Sequence, residues 1–307
     1  VCEGCGDCGV QSNCVSVVPL DTELGRKRQI EQSSCNKDYS CVNGFCPSFV
    51  SVKGGKLKKP KAAAMDLPAL PAPALPAIDG TFNLVITGVG GTGVVTIGAV
   101  LAQAAHMDGK GAGMMEMAGL AQKGGAVHIH LRLANRPEDI SAIRVAVGEA
   151  DCIIGGDLVV TAGAKTIGLM THGRTGAVVN DHEIITGEFT KNRDFQIPAD
   201  RLKLSLQARL GDKVAFFDAN TLAQRALGDS IYSNMLVLGA AWQRGLVPLS
   251  EAAILKAIEL NGQKVAENQR AFAIGRWAGA RPAEAREVAG QQGADPAAPD
   301  PVEYRAA

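Results

Sequence analysis

Leu84-Val85-Ile86-Thr87-Gly88-Val89-Gly90-Gly91-Thr92-Gly93 decides the fold of most of this chain. An apolar tetrapeptide reads as a short buried strand. A glycine turn follows, and Val94 to His106 then carries apolar residues at helical spacing. Strand, GxGGxG turn and helix in that order is the context of a dinucleotide or phosphate site, where the backbone nears an anion and a helix N-terminus faces it. Tight strand–helix packing without a ligand is the competing reading. The stretch 84–105 carries no charge, but its glycines and central turn exclude a membrane-spanning helix.

Working outward, further strands are expected at 113–117, 126–133, 152–155, 177–180 and 214–218, with helices over 158–170 and 222–227 between them. Alternation of this kind predicts an α/β domain: a mainly parallel, three-layer Rossmann-like sheet. C-terminal helices are expected over 231–244, 250–259 and 264–277. Glu116 stands about where a nucleotide fold keeps its ribose-binding acid. The loop Ala118–Gly125 brings a second glycine-rich segment to the same sheet edge. Over 126–133, Val127, Ile129, Leu131 and Leu133 face one way and His128, His130 and Arg132 the other, which suits a polar interface, a site, or a covered edge. Cys152 sits in an apolar run and reads as a core residue.

Two cysteine runs precede this domain. Cys2, Cys5, Cys8 and Cys14 give C-x2-C-x2-C-x5-C. Cys35, Asp38, Cys41 and Cys46-Pro47 give C-x2-D-x2-C-x4-C-P. Each is close to a bacterial ferredoxin motif, in which the last cysteine of a run serves the other cluster. One iron–sulfur cluster would therefore use Cys2, Cys5, Cys8 and Cys46 as a [4Fe-4S] centre. The other would use Cys35, Asp38, Cys41 and Cys14, either as a [4Fe-4S] centre with an aspartate ligand or as a [3Fe-4S] centre. Zinc favours paired ligands around one ion, and seven cysteines in this section suit neither zinc nor a disulfide set.

The chain has 307 residues, which suggests about two domains. Lys plus Arg balances Asp plus Glu at 31 each, so no charge argument exists for nucleic acid or a membrane surface. Reduced thiols and iron–sulfur motifs point to the cytoplasm. The expected organisation is an iron–sulfur module over 1–56, a Pro/Ala strap over 57–79, an α/β domain over 80–279, and a mobile tail or linker over 280–307. The chain starts directly on a cysteine motif and reads as a portion of something larger. It has no Gly-Asp-Gly motif with a paired asparagine, the pattern that holds magnesium and thiamine diphosphate, so in a decarboxylating enzyme that chemistry would lie outside these residues; no catalytic residue stands out either.

The cysteine section, with Gly25-Arg-Lys-Arg-Gln-Ile30 and Gly44-Phe-Cys-Pro-Ser-Phe49, is similar to the ferredoxin-like section of bacterial indolepyruvate ferredoxin oxidoreductases. The glycine turn, Gln122-Lys-Gly-Gly125 and Asn234-Met-Leu-Val-Leu-Gly239 resemble the gamma-type domain of 2-oxoacid:ferredoxin oxidoreductases. The resemblance implies oxidation of an aryl 2-oxoacid to an acyl-coenzyme A and CO2, with electrons passing to ferredoxin or a similar acceptor. It implies a partner portion or subunit that binds thiamine diphosphate, and a dimer or higher oligomer. It also makes Gly88, Gly90, Gly91, Gly93, Gln122 and Gly124 candidates for the phosphates of coenzyme A as co-substrate. A nicotinamide- or flavin-linked reductase with a fused ferredoxin module is the alternative.

Overall fold

The computed structural model describes residues 2–12, 14, 16–32, 34–50, 53–54, 65–118, 125–183, 192 and 195–290. The cysteine section begins with a short helix, α1 (Asp7–Ser12). An antiparallel hairpin follows, β1 (Val17–Thr22) and β2 (Gly25–Ile30), joined at a tight turn where Gly25 has φ 88°. The charged residues between the two cysteine runs, among them Arg26, Lys27 and Arg28, lie on this hairpin. It reaches the α/β domain, where Arg26 Nη1 donates to the carbonyl of Phe195 at 2.9 Å.

One six-stranded sheet organises the rest, in the order β4-β5-β3-β6-β7-β8. The strands are β3 (Thr81–Val89), β4 (Gly111–Ala118), β5 (Ala126–Ala134), β6 (Cys152–Gly155), β7 (Gly176–Asn180) and β8 (Val214–Phe217). The ladders among β3, β6, β7 and β8 are parallel. β5 runs antiparallel to both β3 and β4. The sheet is thus mixed, and the expectation of a mainly parallel one fails at this edge. β5 lies between β3 and β4, and the strand direction reverses between Ala118 and Ala126.

Helices cover both faces. On one lie α2 (Val94–Met107), α6 (Ala219–Leu227), α7 (Ser233–Gln243), α8 (Glu251–Asn261) and α9 (Val265–Ala280), packed on Leu84, Ile86, Ile129, Leu131 and Ile154. On the other, Val85, Ile153, Ala177 and Val179 meet Leu158, Leu206 and Leu210 from α3 (Leu158–Thr161) and α5 (Ala199–Leu210). The helix expected over 158–170 is broken into α3 and α4 (Ala164–Ile167), because Gly163 takes an extended conformation between them. Ser250 starts α8, its hydroxyl accepting the N–H of Ala253 at 3.2 Å. Residues 282–290, expected in the tail, form a last helix, α10 (Pro282–Gly290). Cys152 is fully buried, and burial pushes its thiol pKa up. No helix among the described residues is long and apolar enough to cross a membrane.

α7 and α9 touch through glycine. A Cβ on Gly239 would lie 2.1 Å from the carbonyl oxygen of Phe272, and one on Gly275 would lie 2.1 Å from that of Leu236. The strap over 65–78 lies along this pair. Gln243 donates to the carbonyl of Pro71 at 2.9 Å, Arg276 to that of Leu70 at 3.4 Å and Arg270 to that of Met65 at 3.3 Å. Met65, Leu67, Leu70 and Ile78 pack on the core beneath.

Candidate functional site

The glycine turn lies at the carboxyl edge of the sheet, where α/β sites form. Its glycines divide into two kinds. Gly88 and Gly93 are closed in by protein: a Cβ on Gly88 would lie 2.4 Å from Val94 Cγ2, and one on Gly93 would lie 2.3 Å from Asn234 Nδ2. Gly93 also holds φ 81°, left-handed backbone that favours glycine. Gly90 and Gly91 instead line a cleft of about 480 Å³. The Gly90 N–H donates to the carbonyl of Gly125 at 2.7 Å, so the second glycine loop does reach the first. Gln122 and Gly124 lie outside the described residues. Glu116 stands on β4, two strands from the turn and about 10 Å away with β5 between. It is not the ribose partner of this turn.

Across the cleft stand residues of the cysteine section: Val18, Pro19, Arg26, Gln29, Glu31 and Cys35. His182, which sequence reasoning left isolated, joins them from the end of β7. It lies 3.2 Å from Asp218, the N-cap of α6, whose carboxylate also accepts from the N–H and hydroxyl of Thr221 at 2.8 and 2.6 Å. Burial would lower the His182 pKa, but the Asp218 hydrogen bond and charge, with Glu31 and Asp181, raise it. Asp218 is lowered, because the His182 contact outweighs burial. Two residues far apart in sequence make this dyad, and no local motif announces it.

A second carboxylate at this edge behaves differently. Asp157 is fully buried and caps α3 through Oδ1, which accepts the N–H groups of Val159 and Val160 at 2.6 and 3.1 Å. Its Oδ2 has no partner. Burial therefore wins over those two bonds, and its pKa rises to about 6.

In the cysteine section, the side chains fall into two neighbourhoods. Cys8 feels the thiolates of Cys2 and Cys46, and Arg28 beside it. Cys41 feels Cys14, Cys35 and Asp38. Burial and these like charges raise both thiols, against backbone hydrogen bonds that lower them. Cys5 is exposed. Backbone N–H groups point at sulfur: Gly4 and Arg28 at Cys2 (3.3 and 3.4 Å), and Lys37 at Cys35 (3.4 Å). Gly4, at φ 75°, has no room for a Cβ, which would lie 2.8 Å from the carbonyl of Arg26. Asp38 Oδ1 accepts from the N–H and hydroxyl of Ser40, and Oδ2 from Asn36. Among the described residues, no three of His, Cys, Asp or Glu are placed to hold a single metal ion.

Residues 83–278 match the family described as pyruvate ferredoxin/flavodoxin oxidoreductase. The indolepyruvate oxidoreductase subunit IorB of Thermococcus kodakarensis is 29% identical over 198 residues, covering 63% of this chain and 94% of its own length. IorB of Methanothermobacter thermautotrophicus is 25% identical over 201 residues, covering 65% and 98%. Both relatives are archaeal, whereas the sequence resemblance was to the bacterial enzymes. Among solved structures, the gamma subunit of a keto/oxoacid ferredoxin oxidoreductase from Geobacter sulfurreducens superposes with a TM-score of 0.45 at 21% identity, over 65% of this chain and 98% of that one. The family match begins at residue 83, so the cysteine section lies outside it. The chain belongs to the pyruvate ferredoxin/flavodoxin oxidoreductase family.

Proposed function

We propose that this chain is the electron-transfer and gamma-type portion of a thiamine-diphosphate-dependent 2-oxoacid:ferredoxin oxidoreductase acting on an aryl pyruvate such as indolepyruvate. It would serve an enzyme that forms acyl-coenzyme A and CO2 and reduces ferredoxin. The family match and the names of the archaeal relatives support the reaction class. The observation that carries the electron-transfer role is the pairing of distant cysteines: Cys46 stands with Cys2 and Cys8, and Cys14 with Cys35 and Cys41. That exchange of fourth ligands is the habit of two-cluster ferredoxins.

Cys2, Cys5, Cys8 and Cys46 would hold one iron–sulfur cluster, and Cys14, Cys35, Cys41 and Asp38 the other. When bound, such clusters supply reversible one-electron storage. The N–H groups on Cys2 and Cys35 stabilise anionic sulfur and so help tune the potentials. Gly90 and Gly91 are the turn residues open to a coenzyme A phosphate; Gly88 and Gly93 serve packing. The thiamine diphosphate and magnesium belong to the partner portion.

Iron counting with electron paramagnetic resonance tests this. The expectation is about eight irons per chain, or about seven if Asp38 leaves one corner open. Asp38→Cys should convert the second signal to that of an all-cysteine four-iron centre. Stoichiometric zinc without iron would sink the proposal.

A further inference from the structure

His182 stands just past the end of β7, where Asn180 fixes it. Asn180 is buried, and its Oδ1 accepts the N–H of His182 at 3.3 Å and that of Ala219 at 3.0 Å. One side chain thus ties the His182 segment to the start of α6, whose N-cap is Asp218. Thr221 holds the Asp218 carboxylate in turn, and both its oxygens lie within 3.3 Å of His182 Nδ1. Asp218 keeps its charge at neutral pH, so Nδ1 is the donor and Nε2 of the neutral ring carries the lone pair. Among the described residues Nε2 has no partner. The side chain, 38% exposed, lines the cleft.

The surroundings suit proton transfer better than anion binding. The charged groups that face His182 are Asp218, Glu31 and Asp181, with Lys203 paired to Asp181 at 2.6 Å. Asp21, Glu183 and Arg26 supply the other charges of the cleft wall. A protonated His182 among these carboxylates offers little net positive charge to a phosphate. The carboxylate that orients the ring also stabilises the imidazolium that forms when the ring takes a proton.

We infer that His182 is the base that takes the thiol proton of coenzyme A, with Asp218 as its positioning residue. The inference rests on the reading of this cleft as the coenzyme A site. The glycine turn and His182 leave the sheet two strands apart, about 10 Å. A phosphate at Gly90 or Gly91 therefore leaves the pantetheine arm, which is longer than this gap, to carry the thiol to His182. In the step, the S–H bond breaks, its electron pair stays on sulfur and the proton goes to the Nε2 lone pair. The thiolate then bonds to the acyl carbon supplied by the partner portion. His182 returns the proton to solvent. It is the proton that the overall oxidation releases, while the electrons leave through the clusters.

The complete enzyme, assembled with its thiamine-binding partner, tests this in two parts. Hydrogen exchange locates coenzyme A. Slowed exchange over residues 89–93 supports the cleft reading, and no change there overturns that reading and this inference with it. Single-turnover formation of acyl-coenzyme A then tests the base. His182→Gln should slow it by about a hundredfold or more, with little change in the half-saturating coenzyme A concentration. Its rate should climb steadily with pH, as hydroxide makes the thiolate, where the wild type levels off. Asp218→Asn keeps a capping side chain and should show a smaller loss of the same kind, which tests the dyad if His182→Gln fails to assemble. Wild-type rates and pH profiles in both variants, in an enzyme whose turn coenzyme A protects, overturn the role of His182 alone. So does a loss carried wholly by the half-saturating concentration, which would make His182 a binding residue.

Discussion

His130 shows how one buried side chain sets a pH limit. Its Nδ1 accepts the N–H of Val145 at 3.0 Å, so its proton sits on Nε2, which is buried without a partner. Burial, followed by the charges of His128, Arg144 and Arg132, lowers its pKa from 6.5 to about 4. The fold therefore keeps the imidazole neutral while the unfolded chain protonates near 6.5. Stability is complete above that value and declines as pH falls toward 4, by roughly 3 kcal/mol at most. His130→Gln should flatten this limb, seen as a smaller drop in melting temperature between neutral pH and about pH 5. Gly93 makes a second prediction. Gly93→Ala must displace Asn234 and strain left-handed backbone, at a cost of about 1–3 kcal/mol. A denaturant titration that finds no loss would show that the turn relaxes freely. Neither residue was legible as such. The alternation of β5 gave the two faces correctly, but sequence carries no sign that Thr166, Val145 and Glu149 meet His128, His130 and Arg132.

At the scale of elements, the crossing of α7 and α9 depends on the absence of side chains at Gly239 and Gly275. Gly275→Ala should force these helices apart and destabilise the domain by about 1–3 kcal/mol, read as a lower melting temperature with α-helical content retained. A rise in stability, as helix propensity alone would give, would mean that the backbone contact is dispensable. The strands were legible because short apolar runs between glycines allow little else. The direction of β5 was not, since a loop of this length serves a reversal or an approach to a crossover equally well. α5 escaped notice for a specific reason. Leu202, Leu204 and Leu206 repeat at two, as in a strand, yet only Leu206 and Leu210 are buried and Leu204 faces solvent. α10 is polar and alanine-rich, with Ala285 alone buried, so its composition resembles a tail.

At the scale of the whole molecule, the cysteine section has little core of its own; Val17 is its one buried hydrophobic residue among those described. Iron would supply most of its order, because metal binding to a site that exists only in the fold counts as folding energy. Chelation should therefore raise amide hydrogen exchange across residues 2–50 and leave the sheet protected, and reconstitution should reverse it. Uniform protection before and after chelation would show that the section folds on its own. The cysteine spacing alone suggests both proposed ligand sets. The composite cleft was not legible, because it joins Cys35 to Gly90 and to the His182–Asp218 dyad across long sequence separations.

The strap along α7 and α9 has a consequence for handling this protein. Its alanines and prolines, read alone, describe an open tether of the kind proteases cut first. Cleavage requires several residues of backbone to lift into an extended conformation in the enzyme's groove. Here the carbonyls of Met65, Leu70 and Pro71 are bound by Arg270, Arg276 and Gln243, and the leucines beside them are anchored. Limited proteolysis should therefore spare the stretch from Met65 to Ile78. Arg276→Ala would open it, turning a resistant seam into the preferred cut between the two halves of the chain.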